Sequence, residues 1–216
     1  MKKIASPLFQ DLSEAELDTL AAAGHLRTRQ FAKHEVIFRA GSCVREIGIV
    51  LRGSVHIENL DLWGTKSILS SVGAGQAFAE TYAFCGEALM VDAVAAEHCE
   101  ILFLHTAALT DARIEPALQD KLLRRLLAVS MRKNLSLSQR IFCTTPKTVR
   151  GRLLTYFSAQ AARCGRTEFE VPFNRQQMAD YLNLDRSALS KELCKMRDEG
   201  LLEFDKNRFV LKQLPE

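Results

Sequence analysis

Long apolar runs are missing from this 216-residue sequence: none exceeds a few residues, so no segment is expected to span a bilayer. The opening Met1-Lys2-Lys3-Ile4-Ala5-Ser6-Pro7 has lysines but no apolar stretch behind them, which argues against a secretory signal. Paired cysteines are missing too. Cys43, Cys85, Cys99, Cys143, Cys164 and Cys194 are never closer than 14 residues, so zinc-finger and ferredoxin spacings are excluded. A cytoplasmic protein with reduced thiols is expected, most of them buried as small hydrophobes, with no resident metal or cofactor. The composition, 47% hydrophobic and 25% charged, is that of a globular chain rather than a disordered one.

Acidic residues are absent between 121 and 152, a stretch that holds nine basic ones. The net charge of +3 hides this asymmetry: residues 1–120 carry 10 Lys and Arg against 16 Asp and Glu, and residues 121–216 carry 19 against 10. Such a split flags a polyanionic partner for the second half, or else a solvated basic helix.

The remaining sequence has clear periodicity. Ser13 with Glu16 forms a capping box that opens a short helix through Leu20 and Ala23, stopped by Gly24. From Phe31 to His105 the pattern changes to alternation: Val36 and Phe38; Ile47, Ile49 and Leu51; Val55 and Ile57; Ile101, Phe103 and His105. Gly41, Gly53, Gly64, Gly73, Gly75 and Gly86 punctuate these runs, which predicts an antiparallel barrel or roll. Pro116 then suits a first helical turn, and no proline or glycine follows until Pro146. On this long helix Leu123, Ser130 and Leu137 interleave with Leu127, Asn134 and Ile141 at three- and four-residue steps, as in a coiled-coil seam. A homodimer through helix 115–143 is the expectation; packing of the helix along its own barrel is the alternative.

After Thr144-Thr145-Pro146 a second helix carries Leu153, Leu154 and Phe157 to about Gly165, and Phe169-Glu170-Val171-Pro172 reads as a strand. Asn174 caps a helix that packs Met178, Ala179 and Leu182 on one face; Asn183-Leu184 turns; Asp185 caps a further helix ended by Gly200. On that last helix Leu189, Leu193 and Met196 face inward. Arg186, Ser187, Ser190, Lys191 and Lys195 occupy the opposite face, short or cationic groups suited to base edges and phosphates. Arg186 is placed to fork onto guanine O6 and N7, and Lys191 to reach a guanine or a phosphate. Asn174 and Gln176, at the start of the preceding helix, suit phosphate contacts. Asp205-Lys206-Asn207-Arg208 is expected as a four-residue hairpin loop, adding Lys206 and Arg208 as a wing.

The order of barrel, long helix and winged helix-turn-helix resembles the CRP/FNR family of bacterial transcription regulators over nearly the whole chain. Glu46-Ile47-Gly48-Ile49-Val50-Leu51-Arg52-Gly53-Ser54-Val55 looks like the family's strand pair with its Gly-x-Val turn, and Gly75-Gln76-Ala77-Phe78-Ala79-Glu80 like its ligand loop. Arg152-Leu153-Leu154 and Arg186-Ser187-Ala188-Leu189-Ser190-Lys191 fall at the family's post-hinge helix and recognition helix. The resemblance implies an α+β fold: a cyclic-nucleotide-binding-like double-stranded β-roll (jelly roll) over 1–114, a dimerisation helix over 115–143, and a C-terminal winged helix-turn-helix over 144–216. It further implies a transcription regulator, not an enzyme, that binds double-stranded DNA at a pseudo-palindromic operator, with RNA polymerase as the further partner such a protein would meet.

The departures bear on the effector. Cyclic-nucleotide-binding members follow the loop with an Arg-Ser pair that grips the phosphate; here Met90 and Val91 stand there, and a buried phosphate without the Arg is an unpaired charge. Ala79 replaces the loop glycine, whose access to positive φ lets backbone N–H groups converge on an anion. An effector other than cAMP is expected, a small molecule less phosphate-like than a nucleotide. Ala79, Glu80, Thr81, Met90, Val91 and Asn134 are the candidate residues. Glu80 either accepts hydrogen bonds from ligand hydroxyls or pins the loop. The first cysteine is Cys43, so an N-terminal iron–sulfur cluster is excluded, while His56, His98 and His105 stay open as haem ligands. Ser187 stands where many members carry Glu, so a different half-site is expected. An effector would act through the long helix and a hinge near 142–145. A ligand-independent or thiol-controlled regulator, sensing through Cys85, Cys99 or Cys43, is the alternative. Glu80, His98 and His105 offer acid–base groups, but no nucleophile–base motif surrounds them.

Overall fold

The computed structural model describes residues 4–60 and 66–212; Gly64 lies outside the described residues. The chain divides into two compact units, 1–132 and 133–216. In the first, helix α1 (Glu14–Ala22) starts at the expected capping box, with Ser13 accepting from the Glu16 N–H and the Glu16 carboxylate accepting from the Ser13 N–H. Strands β1 (Leu26–Phe31), β2 (Val36–Phe38), β3 (Glu46–Arg52), β4 (Val55–Leu60), β5 (Lys66–Val72) and β6 (Ala77–Phe78) follow. Helix α2 (Glu80–Cys85), then β7 (Asp92–Ala95) and β8 (Cys99–His105), complete the roll. The strands form two antiparallel four-stranded sheets, ordered β1-β8-β3-β6 and β2-β7-β4-β5. Gly48 on β3 admits the Phe78 ring, which lies 2.2 Å from where a Cβ would sit. Gly53, in the turn between β3 and β4, holds φ +82° with a backbone carbonyl, that of His98, against its missing Cβ.

Alternation along β3 and β8 divides residues between two cores rather than between core and water. Val50, Cys99, Ile101 and Phe103 join Phe31, Val55 and Phe78 between the sheets. Ile47, Ile49, Leu102 and Leu104 face the other way, into a core built with Leu17 and Leu20 of α1 and Leu118, Leu122 and Leu126 of the long helix α3 (Pro116–Thr144). A strand covered on both faces loses its polar side, which is why these two read as nearly continuous apolar runs.

Helix α3 runs for 29 residues. The loop before it is pinned by Asp111, whose carboxylate meets the Arg113 guanidinium and the buried His25 Nε2 at 2.7 Å. Those partners, Arg113 foremost, hold the Asp111 carboxyl well below the usual carboxylate range. The stripe Leu118, Leu122, Leu126 is buried, whereas Leu123, Leu127, Leu137 and Ile141 remain 47%, 56%, 58% and 57% exposed.

In the second unit, α4 (Val149–Cys164) is capped by Thr148 and closed by Gly165 at φ +65°. Strand β9 (Glu168–Glu170), helices α5 (Arg175–Leu182) and α6 (Arg186–Asp198), and strands β10 (Leu202–Asp205) and β11 (Arg208–Leu211) follow. The small sheet has the order β10-β11-β9. Asp205 and Arg208 pair across the hairpin, so its loop is the two residues Lys206 and Asn207, not the four expected. Lys206 takes φ +50°, the conformation that lets so short a loop follow the strand twist. The core gathers Leu153, Tyr156, Phe157, Met178, Leu182, Leu189, Leu193, Met196 and Phe209.

Six of the nine basic residues in 121–152 serve the fold. Lys121 pairs with Glu16 at 2.6 Å, Arg124 with Asp120 at 2.8 Å, and Arg125 with Asp11. Arg150 holds Glu192 and Glu199, and Arg140 and Arg152 donate to backbone carbonyls. The second unit by itself carries 15 basic against 10 acidic residues, a smaller excess than residues 121–216 suggest.

Among the described residues one buried hydroxyl, that of Tyr156, has no hydrogen-bond partner, and burial pushes its pKa up. Tyr156→Phe keeps the ring and removes the orphan, so it should raise unfolding stability by about 1 kcal/mol in urea titration. A loss of stability would mean that the hydroxyl is satisfied in solution.

Candidate nucleic-acid interface and ligand pocket

Two short helices and a sharp turn build a helix-turn-helix. Asn174 caps α5 reciprocally: its side chain accepts from the Gln177 N–H at 2.9 Å, and the Gln177 side chain accepts from the Asn174 N–H at 2.9 Å. Asn183 turns the chain at φ +52°, and Asp185 caps α6 by accepting from the Ala188 N–H at 2.9 Å. Leu189, Leu193 and Met196 are wholly buried. That anchor leaves Arg186, Ser187, Lys191 and Lys195 exposed and Ser190 half-buried on the outer face of α6.

The polar residues named from sequence are not equally available. The Ser187 hydroxyl donates to the Asp185 carboxylate, a bond that, with the Ala188 N–H, lowers the Asp185 pKa. Gln176 donates to Asp180 at 2.9 Å, and the Asn174 carbonyl oxygen is occupied by its cap. Arg175, which the sequence pattern did not single out, lies half-buried over the Phe204 and Phe209 rings at 4.9 and 5.1 Å. Burial lowers its pKa. With Phe173, Asn174, Lys206 and Asn207 it lines a groove of about 510 Å³ between the start of α5 and the wing loop. Pairing of β11 with β9, together with the Asn207 carbonyl that accepts from the Val171 N–H at 2.9 Å, brings the wing loop beside the start of α5, so spacing along the chain carried no sign of it.

In the first unit, Ala79 closes β6 in the left-handed region at φ +62°, ψ +8°. Alanine therefore adopts here the positive-φ conformation expected to need a glycine, at a cost in strain. Helix α2 follows, with Glu80 only 5% exposed. Glu80, Thr81, Phe84 and Cys85 of α2 face Leu123, Leu126, Leu127 and Ser130 of α3 across a recess of about 250 Å³. Of the six candidate effector residues, Glu80 and Thr81 line this recess and Ala79 supplies the turn before them. Met90, Val91 and Asn134 are not among its lining residues; Met90 is 77% exposed, and Asn134 accepts from the Ser138 hydroxyl at 3.5 Å. No lining residue is cationic. Leu123, Leu126, Leu127 and Ser130 were not read as effector residues because the recess exists only where α2 and α3 meet.

The thiols depart from expectation. Cys43, Cys85, Cys164 and Cys194 are exposed, and only Cys99 and Cys143 are buried. Cys43 sits in an isolated bridge with Ala88, and Cys85, Cys164 and Cys194 lie on helices, where packing asks nothing of a small hydrophobe. Cys99 shares its S–H between the Ser54 and Glu97 carbonyls, and burial pushes the Cys143 thiol up. His56 faces Glu58 at 3.8 Å, His98 is exposed, and His105 Nδ1 accepts from the Ala107 N–H. Among the described residues no three His, Cys, Asp or Glu side chains gather as a metal site, and no helix is long and apolar enough to cross a membrane.

Residues 28–113 match the cyclic nucleotide-binding domain family, and residues 151–216 match the Crp-like helix-turn-helix domain family. The chain is 24% identical over 188 residues to the transcriptional activator protein FnrA of Stutzerimonas stutzeri, covering 82% of this chain and 73% of that one. The catabolite activator protein of Thermus thermophilus is similar in structure, with a TM-score of 0.50 and 25% identity over 96% of this chain and 94% of that one. CLP, the c-di-GMP-responsive global regulator of Xanthomonas campestris, shares the fold, with a TM-score of 0.55 and 18% identity over 94% and 100% of the two chains.

The left-handed alanine makes a direct prediction. Ala79→Gly should relieve the Cβ clash and raise stability by up to about 1 kcal/mol, the relief being partly offset by glycine's larger unfolded-state entropy. A melting temperature clearly below that of the parent would show that Ala79 packing outweighs its strain.

Proposed function

This chain belongs to the CRP/FNR family of transcription regulators, and on that premise we propose that it works as an effector-controlled homodimer on a pseudo-palindromic operator. Residues 1–114 sense, 115–143 pair the two copies, and 144–216 read DNA. The observation that carries the reading is the exposed side of α6: Lys191 and Lys195 are held outward because Leu189, Leu193 and Met196 are fixed inward, and Arg186 is exposed at the first turn of the helix. Arg186 and Lys191 take base edges in the major groove, with Ser190 close to the floor and Lys195 on a phosphate. Ser187 reads DNA only by releasing Asp185, so it contributes less than its position suggests. Asn174 and Gln176 flank the backbone, and Arg175 with Lys206 adds cations in the adjoining groove. The exposed seam of α3, with Ser130 and Asn134 as its polar positions, receives the second copy. Two recognition helices then meet successive major grooves about 34 Å apart.

The recess beside Glu80 is the effector site. Its leucines, Phe84 and lack of any cation suit a small apolar molecule with one group that donates to the Glu80 carboxylate, not a cyclic nucleotide. Met90 and Val91 contribute nothing to holding a phosphate, in keeping with an effector other than cAMP. One observation favours a second reading: Cys85 is exposed and lines the same recess, so oxidation there would alter the site without any ligand.

Selection of duplexes from a random pool tests the DNA reading. Arg186→Ala and Lys191→Ala should each lose about 1–3 kcal/mol of discrimination between the enriched duplex and a scrambled one. If both variants bind the enriched duplex as the parent does, α6 is not read through this face. Calorimetry with cAMP should show no binding; a micromolar dissociation constant would overturn the effector assignment.

A further inference from the structure

Helix α5 ends, like any helix, with carbonyls that its own ladder leaves short of donors. Two arginines from two other helices supply them. Arg140, near the end of α3, donates from Nε to the Tyr181 carbonyl at 3.1 Å and from Nη2 to the Asp180 carbonyl at 3.0 Å. Its guanidinium also lies 6.0 Å from the centre of the Tyr181 ring. Arg152, on α4, donates from Nη1 to the Leu182 and Asn183 carbonyls at 3.1 and 2.7 Å, and from Nε to the Pro146 carbonyl at 2.8 Å. Two cations thus sit at the negative end of one helix dipole. The four carbonyls they hold lead directly into the turn where Asn183 takes positive φ and Asp185 caps α6. Their position therefore sets where the recognition helix begins.

The end of α3 is stiff for further reasons. Cys143 is 2% exposed and belongs to the core of the reading unit. The Thr145 N–H and hydroxyl both donate to the Ile141 carbonyl, at 2.9 and 2.8 Å, and the Thr144 hydroxyl donates to the Arg140 carbonyl at 2.8 Å. The segment 142–145, expected as a hinge, has few loose bonds to turn about, and the compact unit that contains it begins at residue 133.

We propose that Arg140 is a positioning residue for DNA reading: with Arg152 it makes the last turns of the long helix and the start of α6 one body. Rotation at the end of α3 then reaches the recognition helix instead of being absorbed at the turn before α4. The proposal rests on the DNA-reading assignment above, and its test separates the two. The full chain is measured against the duplex it enriches from a random pool and against a scrambled duplex. Arg140→Ala should cut affinity for the enriched duplex about tenfold and leave the scrambled duplex within about twofold, because phosphate contacts do not pass through Arg140. Amide hydrogen exchange over 183–189 should quicken in the same variant. Arg140→Lys, which keeps the charge but not the paired donors, should recover part of the lost discrimination and provides a second, milder variant. Equal losses on both duplexes, in step with a lower melting temperature, would make Arg140 merely structural and overturn the proposal. So would an unchanged ratio with unchanged exchange. A parent chain that does not discriminate overturns the DNA reading itself, and this proposal with it, before any substitution is made.

Discussion

Helix α3 has more apolar surface than one chain covers. The stripe of Leu118, Leu122 and Leu126 is spent on the core of the first unit, where it closes the layer formed by Ile47, Ile49, Leu102 and Leu104. A helix can turn only one face to a given partner, so Leu123, Leu127, Leu137 and Ile141 are left facing water. Burying leucine-sized side chains is worth roughly 1.5–3 kcal/mol each, and a row of them at heptad spacing has a specific way to be buried. The proposed pairing of two copies follows from that constraint. So does the character of the recess beside α2, since Leu123, Leu127 and Ser130 belong both to its lining and to the seam. In the proposed dimer, the ligand and the second copy act on the same few side chains, and each shifts the other only by its differential affinity.

The charges repeat this economy. A basic stretch without acids looked like a surface for a polyanion, yet Lys121, Arg124 and Arg125 meet Glu16, Asp120 and Asp11 within the first unit. Arg140, Arg150 and Arg152 are spent on holding the reading unit together. What remains exposed for the proposed DNA reading is a shorter list on α6 and Lys206 of the wing, Arg208 being paired with Glu168. Net charge counts residues, whereas a nucleic acid meets only those whose partners are not already inside the protein.

Local rules made much of the fold legible. The caps at Ser13, Asn174 and Asp185 and the left-handed Gly165 stand where short-range chemistry puts them, because each depends on residues three or four positions apart. The two faces of α6 were legible for the same reason. What escaped depends on tertiary pairing. The wing loop shortens to two residues because β10 and β11 stay paired to their ends, and no local signal at Lys206 announces a positive φ. The exposed cysteines, the Arg175 groove and the α3 wall of the recess are products of elements meeting across the fold. Ala79 is the most instructive case: the residue type argued against a left-handed turn, and the surrounding roll imposes it regardless.

The central claim is that the uncovered face of α3 is made for a second copy of the chain. Sedimentation equilibrium of the full chain at micromolar concentration, beside a variant carrying Leu127→Asp and Leu137→Asp, addresses it most directly. The account predicts a parent mass of twice 24.2 kDa and a variant that sediments as one chain while keeping its folded spectrum. A parent that sediments as a single chain at that concentration, or a variant that still pairs, would contradict it.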